Sequence, residues 1–226
     1  MERIISSLQS AISNAEDDKE NLKPVGIIRT PALRAVARRE FHRIKTLPNK
    51  EIFNLCETLL DSGDWRERTV AFQWAFQVRN HFQSTDFARF HLWLEKYVDD
   101  WGSCDDFCTH AFGHLLHTFS EHIRRVKAWT SLPNRWFRRA SAVIMIYTNR
   151  RGENYSAAFE IADLLFLDHD DLVQKGYGWM LKEIGKRNPG LVFEFVMKRK
   201  KTMPRTALRF AIEKLDPHLQ VQAMKK

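Results

Sequence analysis

The chain has 226 residues and a mass of 26.7 kDa, enough for one sizeable domain with a buried core. Lys and Arg number 36 against 28 Asp and Glu, a formal charge of +8 with a pI near 9.5, and 44% of the residues are hydrophobic. This excludes a disordered chain, a collagen-like chain and a membrane-spanning one, and it makes a polyanion the first partner to consider.

The opening Met1-Glu2-Arg3-Ile4-Ile5-Ser6 lacks the apolar stretch of a secretory signal. The three cysteines, Cys56, Cys104 and Cys108, form no paired framework, so a reduced, cytoplasmic protein is expected. Along the chain the period is helical almost throughout. Over 30–45, Leu33, Val36, Ala37, Phe41 and Ile44 share one face, and Arg34, Arg38, Arg39, Arg43 and Lys45 occupy the remainder. Thr30 is suited to cap this helix and Pro31 to its first turn. Asn49 and Asp64 read as further N-caps. Asp64 opens 65–81, where Val70, Trp74 and Val78 recur every four residues. Further helices are predicted over 84–99, 103–118, 120–130, 134–149, 154–166, 169–187, 189–199 and 203–215. No stretch alternates as a strand does, and no Asn-Gly or Asp-Gly hairpin signal occurs.

The connections are short and polar, which makes neighbouring helices pack antiparallel. Helix pairs recur at roughly 35 to 45 residues, the spacing of HEAT-type arrays. A bundle also fits, but no helix is hydrophobic all round, which favours an array. The expected architecture is therefore all-α: a HEAT-like helical repeat solenoid, one domain over 1–226, with a concave basic groove. Candidates for that groove are Arg34 and Arg38, then Arg135, Arg138 and Arg139, then Lys182, Lys186 and Arg187, then 198–201 with Arg205. Each cluster is equally a solvated helix face; together they would neutralise several phosphates of duplex DNA with strong salt dependence.

The segment with unusual chemistry is Val98-Asp99-Asp100-Trp101-Gly102-Ser103-Cys104-Asp105-Asp106-Phe107-Cys108. Ser103 and Asp106 have capping-box spacing. Asp105 then falls in the first turn, where the helix dipole keeps its pKa low, and Trp101 falls in the preceding loop. The same spacing suits a well-capped helix with a core tryptophan. Two other segments belong with it. Arg135-Trp136-Phe137-Arg138-Arg139-Ala140 opens a helix with basic residues. Gln174-Lys175-Gly176-Tyr177-Gly178-Trp179-Met180-Leu181-Lys182-Glu183 places two glycines within a helix, at about 1 kcal/mol each relative to Ala. Close helix packing, or close approach of a sugar beside Trp179, would offset that cost.

Taken together these residues resemble the AlkD-type DNA alkylation-repair glycosylases, a family of HEAT-like repeat proteins. Four segments carry the resemblance in order: Gly26 to Arg34, with Pro31 and Arg34; Trp101 to Asp105; Trp136-Phe137-Arg138-Arg139-Ala140; and Gln174 to Glu183 with Asn188-Pro189. It runs from about residue 24 to near 215. The resemblance implies a monofunctional glycosylase acting on N3- and N7-alkylated purines in double-stranded DNA. Trp101 and Trp179 would wall the deoxyribose, Asp105 would be the carboxylate at the reacting sugar, and Arg139 would hold a backbone phosphate. Gly102 and Cys104 depart from the family pattern, which often has an acid and a valine there.

The chemistry is consistent with these residue types. An alkylated purine is cationic and already a good leaving group. An ionised Asp105 would stabilise the oxocarbenium-like sugar and position water, and the indoles would add electron-rich faces. Arg138, Arg139, Lys182, Arg34 and Arg38 would register the backbone without reading sequence. Rival readings are a HEAT-like protein that binds damaged or branched DNA without excision, and a protein-interaction scaffold.

Cys104, Cys108, His110, His114 and His117 lack the closed set of ligands a zinc site needs, so no metal is expected, and no cofactor. Buried cysteines, and His114 and His117 on a helix exterior, are the simpler reading. Trp65, Trp74, Trp93, Trp129 and Trp136 are expected in the core. A monomer suffices, since a solenoid binding a duplex needs no dimer.

Overall fold

A computed structural model of the chain describes residues 2–24 and 27–225; Gly26 of the N-terminal motif lies outside them. Where one domain is expected, the described residues form two compact units, one within 1–83 and one within 84–226. The first holds α1 (Glu2–Glu16), α2 (Thr30–Phe41), α3 (Asn49–Asp61) and α4 (Trp65–Gln77). The second holds α5 (Asp86–Tyr97), α6 (Trp101–Thr109), α7 (Ala111–Thr118), α8 (Ile123–Ala128), α9 (Arg135–Val143), α10 (Met145–Asn149), α11 (Tyr155–Leu164), α12 (Asp171–Gly185), α13 (Pro189–Arg199), α14 (Arg205–Ile212) and α15 (Pro217–Met224). The fold is all-α. Among the described residues there is no strand, only an isolated bridge between Leu22 and Ile28, and no helix is long and apolar enough to cross a membrane.

Several helix starts follow from the sequence. The Asp64 carboxylate accepts the Arg66 N–H at 2.8 Å and caps α4 as expected. Asn134 and Asp170 cap α9 and α12 in the same way. Thr30 and Asn49 do not cap. They are the first residues of their helices, behind Arg29 and Pro48 in extended backbone.

The helix predicted over 103–118 is instead two, α6 and α7, parted at His110 (φ −124°, ψ −95°). Gly113 explains why the break is tight. A Cβ there would lie 2.3 Å from the Cys108 carbonyl oxygen and 2.6 Å from Tyr147 Cβ, so only glycine lets the chain double back this closely. The stretch 120–130 also fragments, into 3₁₀ turns on either side of α8.

The repeat is visible in the polar contacts. Side chains of helices two or three apart in the chain bond to one another across a nearly constant separation. Arg139 with Asp105 spans 34 residues, Arg135 with Asp170 spans 35, Arg150 with Glu183 and Asn188 with Tyr155 each span 33, Arg199 with Asp163 spans 36, and Lys182 with Glu213 spans 31. In the first unit Trp74 Nε1 donates to the Ala37 carbonyl 37 residues away, at 2.9 Å. These separations therefore fall around the short end of the expected spacing.

Trp74, Trp93 and Trp129 are buried as expected, the last two beside Phe87, Phe90, Phe107 and Phe112 in the second unit's aromatic core. Trp136 is only half-buried. Trp65 is 40% exposed: as the first residue of α4 it precedes the apolar stripe. α12 is the hub of this unit and packs against α9, α10, α11, α13 and α14. Gly178 makes the last contact possible, because a Cβ there would fall 2.7 Å from Phe210 Cβ and 2.9 Å from the Ala207 carbonyl oxygen. Close helix packing therefore accounts for this glycine.

Candidate active site

Four helices of the second unit meet at an open cleft of about 410 Å³, lined by Trp101, Asp105, Arg139, Leu172, Lys175, Trp179, Lys182 and Phe210. α6 supplies the first two. Its cap is Asp100, whose carboxylate accepts the Ser103 N–H at 2.9 Å; Ser103 is not the cap, and its hydroxyl donates back to the Asp100 carbonyl at 3.0 Å. The carboxylate of Asp100 wins because it lies at the better position to take an orphan N–H of the first turn. Gly102 leaves room for it: a Cβ there would sit 3.0 Å from Asp100 Oδ1.

The start at Trp101 has two consequences. Trp101 is the first helical residue, not a loop residue, and stands 61% exposed at the rim of the cleft. Asp105, four residues on, shares its face of the helix but lies beyond the first turn, where the dipole acts weakly. Cys104 and Cys108 of the same helix are fully buried. Burial pushes the Cys108 thiol well above the usual range, which makes it inert.

α9 supplies Arg139. Its Nε donates to Asp105 Oδ1 and its Nη2 to Asp105 Oδ2, both at 2.9 Å, and its Nη1 donates to the Leu172 carbonyl. The carboxylate is the more accessible partner, with its side chain 18% exposed against 6% for the arginine. Burial raises the Asp105 carboxyl above the ordinary carboxylate range, and the Arg139 hydrogen bonds and charge oppose that rise. The direction is the reverse of the dipole-lowered value expected from the sequence. Gly176 is the seat for Arg139: a Cβ would meet Arg139 Cγ at 3.2 Å.

α12 supplies Leu172, Lys175, Trp179 and Lys182, whose 3-4-3 spacing sets them on one face. Trp179 is half-buried and donates its indole N–H to Glu183 Oε1 at 3.0 Å. Lys182 pairs with Glu213 at 3.0 Å. Phe210 of α14 closes the cleft.

The structure thus brings together Trp101, Asp105, Arg139, Trp179 and Lys182. It does not bring Arg138 to them. Arg138 Nε bonds Asp168 at 2.7 Å, and its Nη1 bonds the Leu132 and Pro133 carbonyls at 3.0 and 2.7 Å, so that side chain ties the start of α9 to the segment before α12. Arg34 and Arg38 lie on α2, in the first unit. Arg139, expected at a phosphate, is 5% exposed with its donors turned on Asp105 and Leu172. Sequence reasoning did not single out Leu172, Lys175 or Phe210 as site residues. The helical stripe through Trp179 and Lys182 carried the signal for the first two; nothing local marked Phe210.

Among the described residues no group of three or more His, Cys, Asp and Glu side chains is placed to hold a metal ion. His114 Nδ1 lies 2.8 Å from the Tyr147 hydroxyl, and His117 Nδ1 lies 3.3 Å from Glu153.

A family model described as DNA alkylation repair enzyme matches residues 9–215 of the chain. No curated protein matches it. Among solved structures, one described as a predicted DNA alkylation repair enzyme from Enterococcus faecalis aligns with a TM-score of 0.74 at 18% identity, covering 93% of this chain and 96% of that one. At that identity the likeness is one of fold.

Proposed function

This chain belongs to the family of DNA alkylation repair enzymes, and on that premise we propose that it is a DNA glycosylase excising N3- and N7-alkylated purines, such as 3-methyladenine and 7-methylguanine, from duplex DNA. The observation that carries the reading is Asp105, an acid fixed by Arg139 in an open cleft that also exposes Trp101 and Trp179.

The reaction is hydrolysis of the N-glycosidic bond. As the bond between C1′ and the base nitrogen breaks, its electron pair passes to the cationic purine, which leaves neutral. The sugar takes up the positive charge. Water adds to C1′ and releases a proton, through Asp105 or directly to solvent. The Asp105 carboxylate lowers the energy of the charged sugar without reorganising, because both of its oxygens are already held. Trp101 and Trp179 present indole faces to the cation. Arg139 acts through Asp105. Lys175 and Lys182, at the cleft, face backbone phosphates, and Arg34 and Arg38 add cationic surface in the first unit. The leaving group is activated by its own charge, so this chemistry calls on no metal or organic cofactor, and one copy of the chain holds every residue of the cleft.

Incubation with N-methylated duplex DNA tests the reading. Release of free 7-methylguanine and 3-methyladenine, lost in Asp105→Asn, supports it. Tight binding without release points instead to a binding protein for damaged DNA.

A further inference from the structure

One turn beyond Trp179, α12 carries a buried acid that does not line the cleft. Glu183 is only 4% exposed. Its Oε1 accepts the Trp179 indole N–H at 3.0 Å and a bond from Lys186 Nζ at 2.7 Å, and its Oε2 accepts from Arg150 Nε at 3.0 Å. The Arg150 guanidinium also lies 6.0 Å from the centre of the Trp179 ring.

A buried carboxylate is costly, and its two cations do not explain it. Arg150 and Lys186 have side chains 46% and 45% exposed, so water would serve them without an internal partner. The indole is different. It has one polar atom, and a half-exposed tryptophan can turn about χ2 and present either edge. Only one of those orientations points Nε1 at Glu183. We propose that Glu183 is a positioning residue that locks Trp179 in the one rotamer able to wall the cleft, with Arg150 and Lys186 present to keep the acid charged where it is buried. Trp179 and Glu183 stand four residues apart on one helix, so the lock is built into a single turn. Burial alone would raise the Glu183 carboxyl, but Arg150, Lys186 and the indole together outweigh it and hold it down at about 2. The acceptor is therefore ionised at neutral pH.

This rests on the glycosylase reading for its catalytic consequence, but not for its geometry, so the test reads both. Glu183→Met removes the acceptor and keeps the length. Glu183→Gln keeps an oxygen acceptor. In protein labelled with ¹⁵N at its seven indole nitrogens, the Trp179 signal is identified by its loss in Trp179→Phe. We expect its indole proton to exchange slowly in the wild type and in Glu183→Gln, and fast in Glu183→Met. Single-turnover release of 7-methylguanine from methylated duplex should fall about tenfold in Glu183→Met and stay within about threefold in Glu183→Gln, with DNA affinity unchanged. In a Trp179→Phe background, Glu183→Met should cause no further loss. An indole signal untouched by Glu183→Met overturns the proposal, and so does the same fold-loss in both backgrounds. Should the wild type release no base, the glycosylase reading fails, and the indole signal alone decides whether Glu183 holds Trp179.

Discussion

The Arg139 guanidinium meets the Asp105 carboxylate edge to edge, with two parallel N–H···O bonds of 2.9 Å, and is itself tied to the Leu172 carbonyl. This fork geometry fixes the plane of the carboxylate and not only its position. It joins α6, α9 and α12 at the floor of the cleft. An acid held in this way needs no motion to face developing positive charge.

Asp105→Asn should separate chemistry from binding. The amide keeps the shape but loses the charge, and it turns an NH₂ group toward Arg139. Release of 7-methylguanine should fall by about 100-fold, the usual size for loss of one preorganised electrostatic group. Affinity for alkylated duplex should stay within about twofold, because the phosphates are held elsewhere. The variant should also be less stable by about 1–3 kcal/mol, since Arg139 keeps one acceptor in place of two. Urea unfolding and single-turnover assays on the same preparation check both halves.

Trp101→Ala should leave stability almost unchanged. The indole is 61% exposed, so little apolar area is lost and the urea midpoint should barely move, by under about 0.5 kcal/mol. Loss of a stacking surface should weaken binding of duplex carrying an abasic-site analogue by about tenfold or more. A large drop in stability with unchanged binding would mean that Trp101 is a packing residue.

The fold class was legible because the helical period runs through nearly every segment and no strand signal competes with it. The site was legible as a set of residues: Trp101, Asp105, Arg139 and Trp179 do meet. Their local settings were not. Ser103 and Asp100 both offer a capping side chain, and choosing between them decides whether Trp101 is in the helix and where Asp105 falls along it. The break at His110 depends on Gly113 packing against Cys108 and Tyr147, and the Tyr147 contact lies more than thirty residues away. Adjacent arginines read alike in a sequence, yet Arg139 turns to Asp105 and Arg138 to Asp168, because neighbours on a helix point about 100° apart.

Gly178→Ala should destabilise the protein although alanine is the better helix former by about 1 kcal/mol. The new methyl would stand 2.9 Å from the Ala207 carbonyl oxygen, a backbone atom that cannot turn aside, and 2.7 Å from Phe210 Cβ. α14 would have to move, at an overpacking cost of about 1–3 kcal/mol, and Phe210 would leave its place at the cleft. Thermal unfolding checks the first effect. A fall in base release larger than that of a Phe210→Leu control checks the second.

Arg139→Met should shift the pH dependence of both activity and stability. Burial already raises the Asp105 carboxyl, and Arg139 is what restrains the rise. Without the guanidinium the carboxyl rises further, so the anion is lost at a higher pH and the acid limb of the rate profile moves upward. The stability effect has a definite sign. Between its ordinary pKa and its raised one, Asp105 binds more protons folded than unfolded, so its contribution to stability is fully present at low pH and falls as pH increases through that window. The wild type has a narrow window because Arg139 opposes the shift; the variant has a wide one. Urea midpoints taken from about pH 4 to 8 should therefore show the deficit of Arg139→Met shrinking as the solution is made more acid. Arg139→Lys retains the charge without the fork and should fall between the two. A deficit independent of pH would mean that the guanidinium holds the three helices together without influencing the carboxylate.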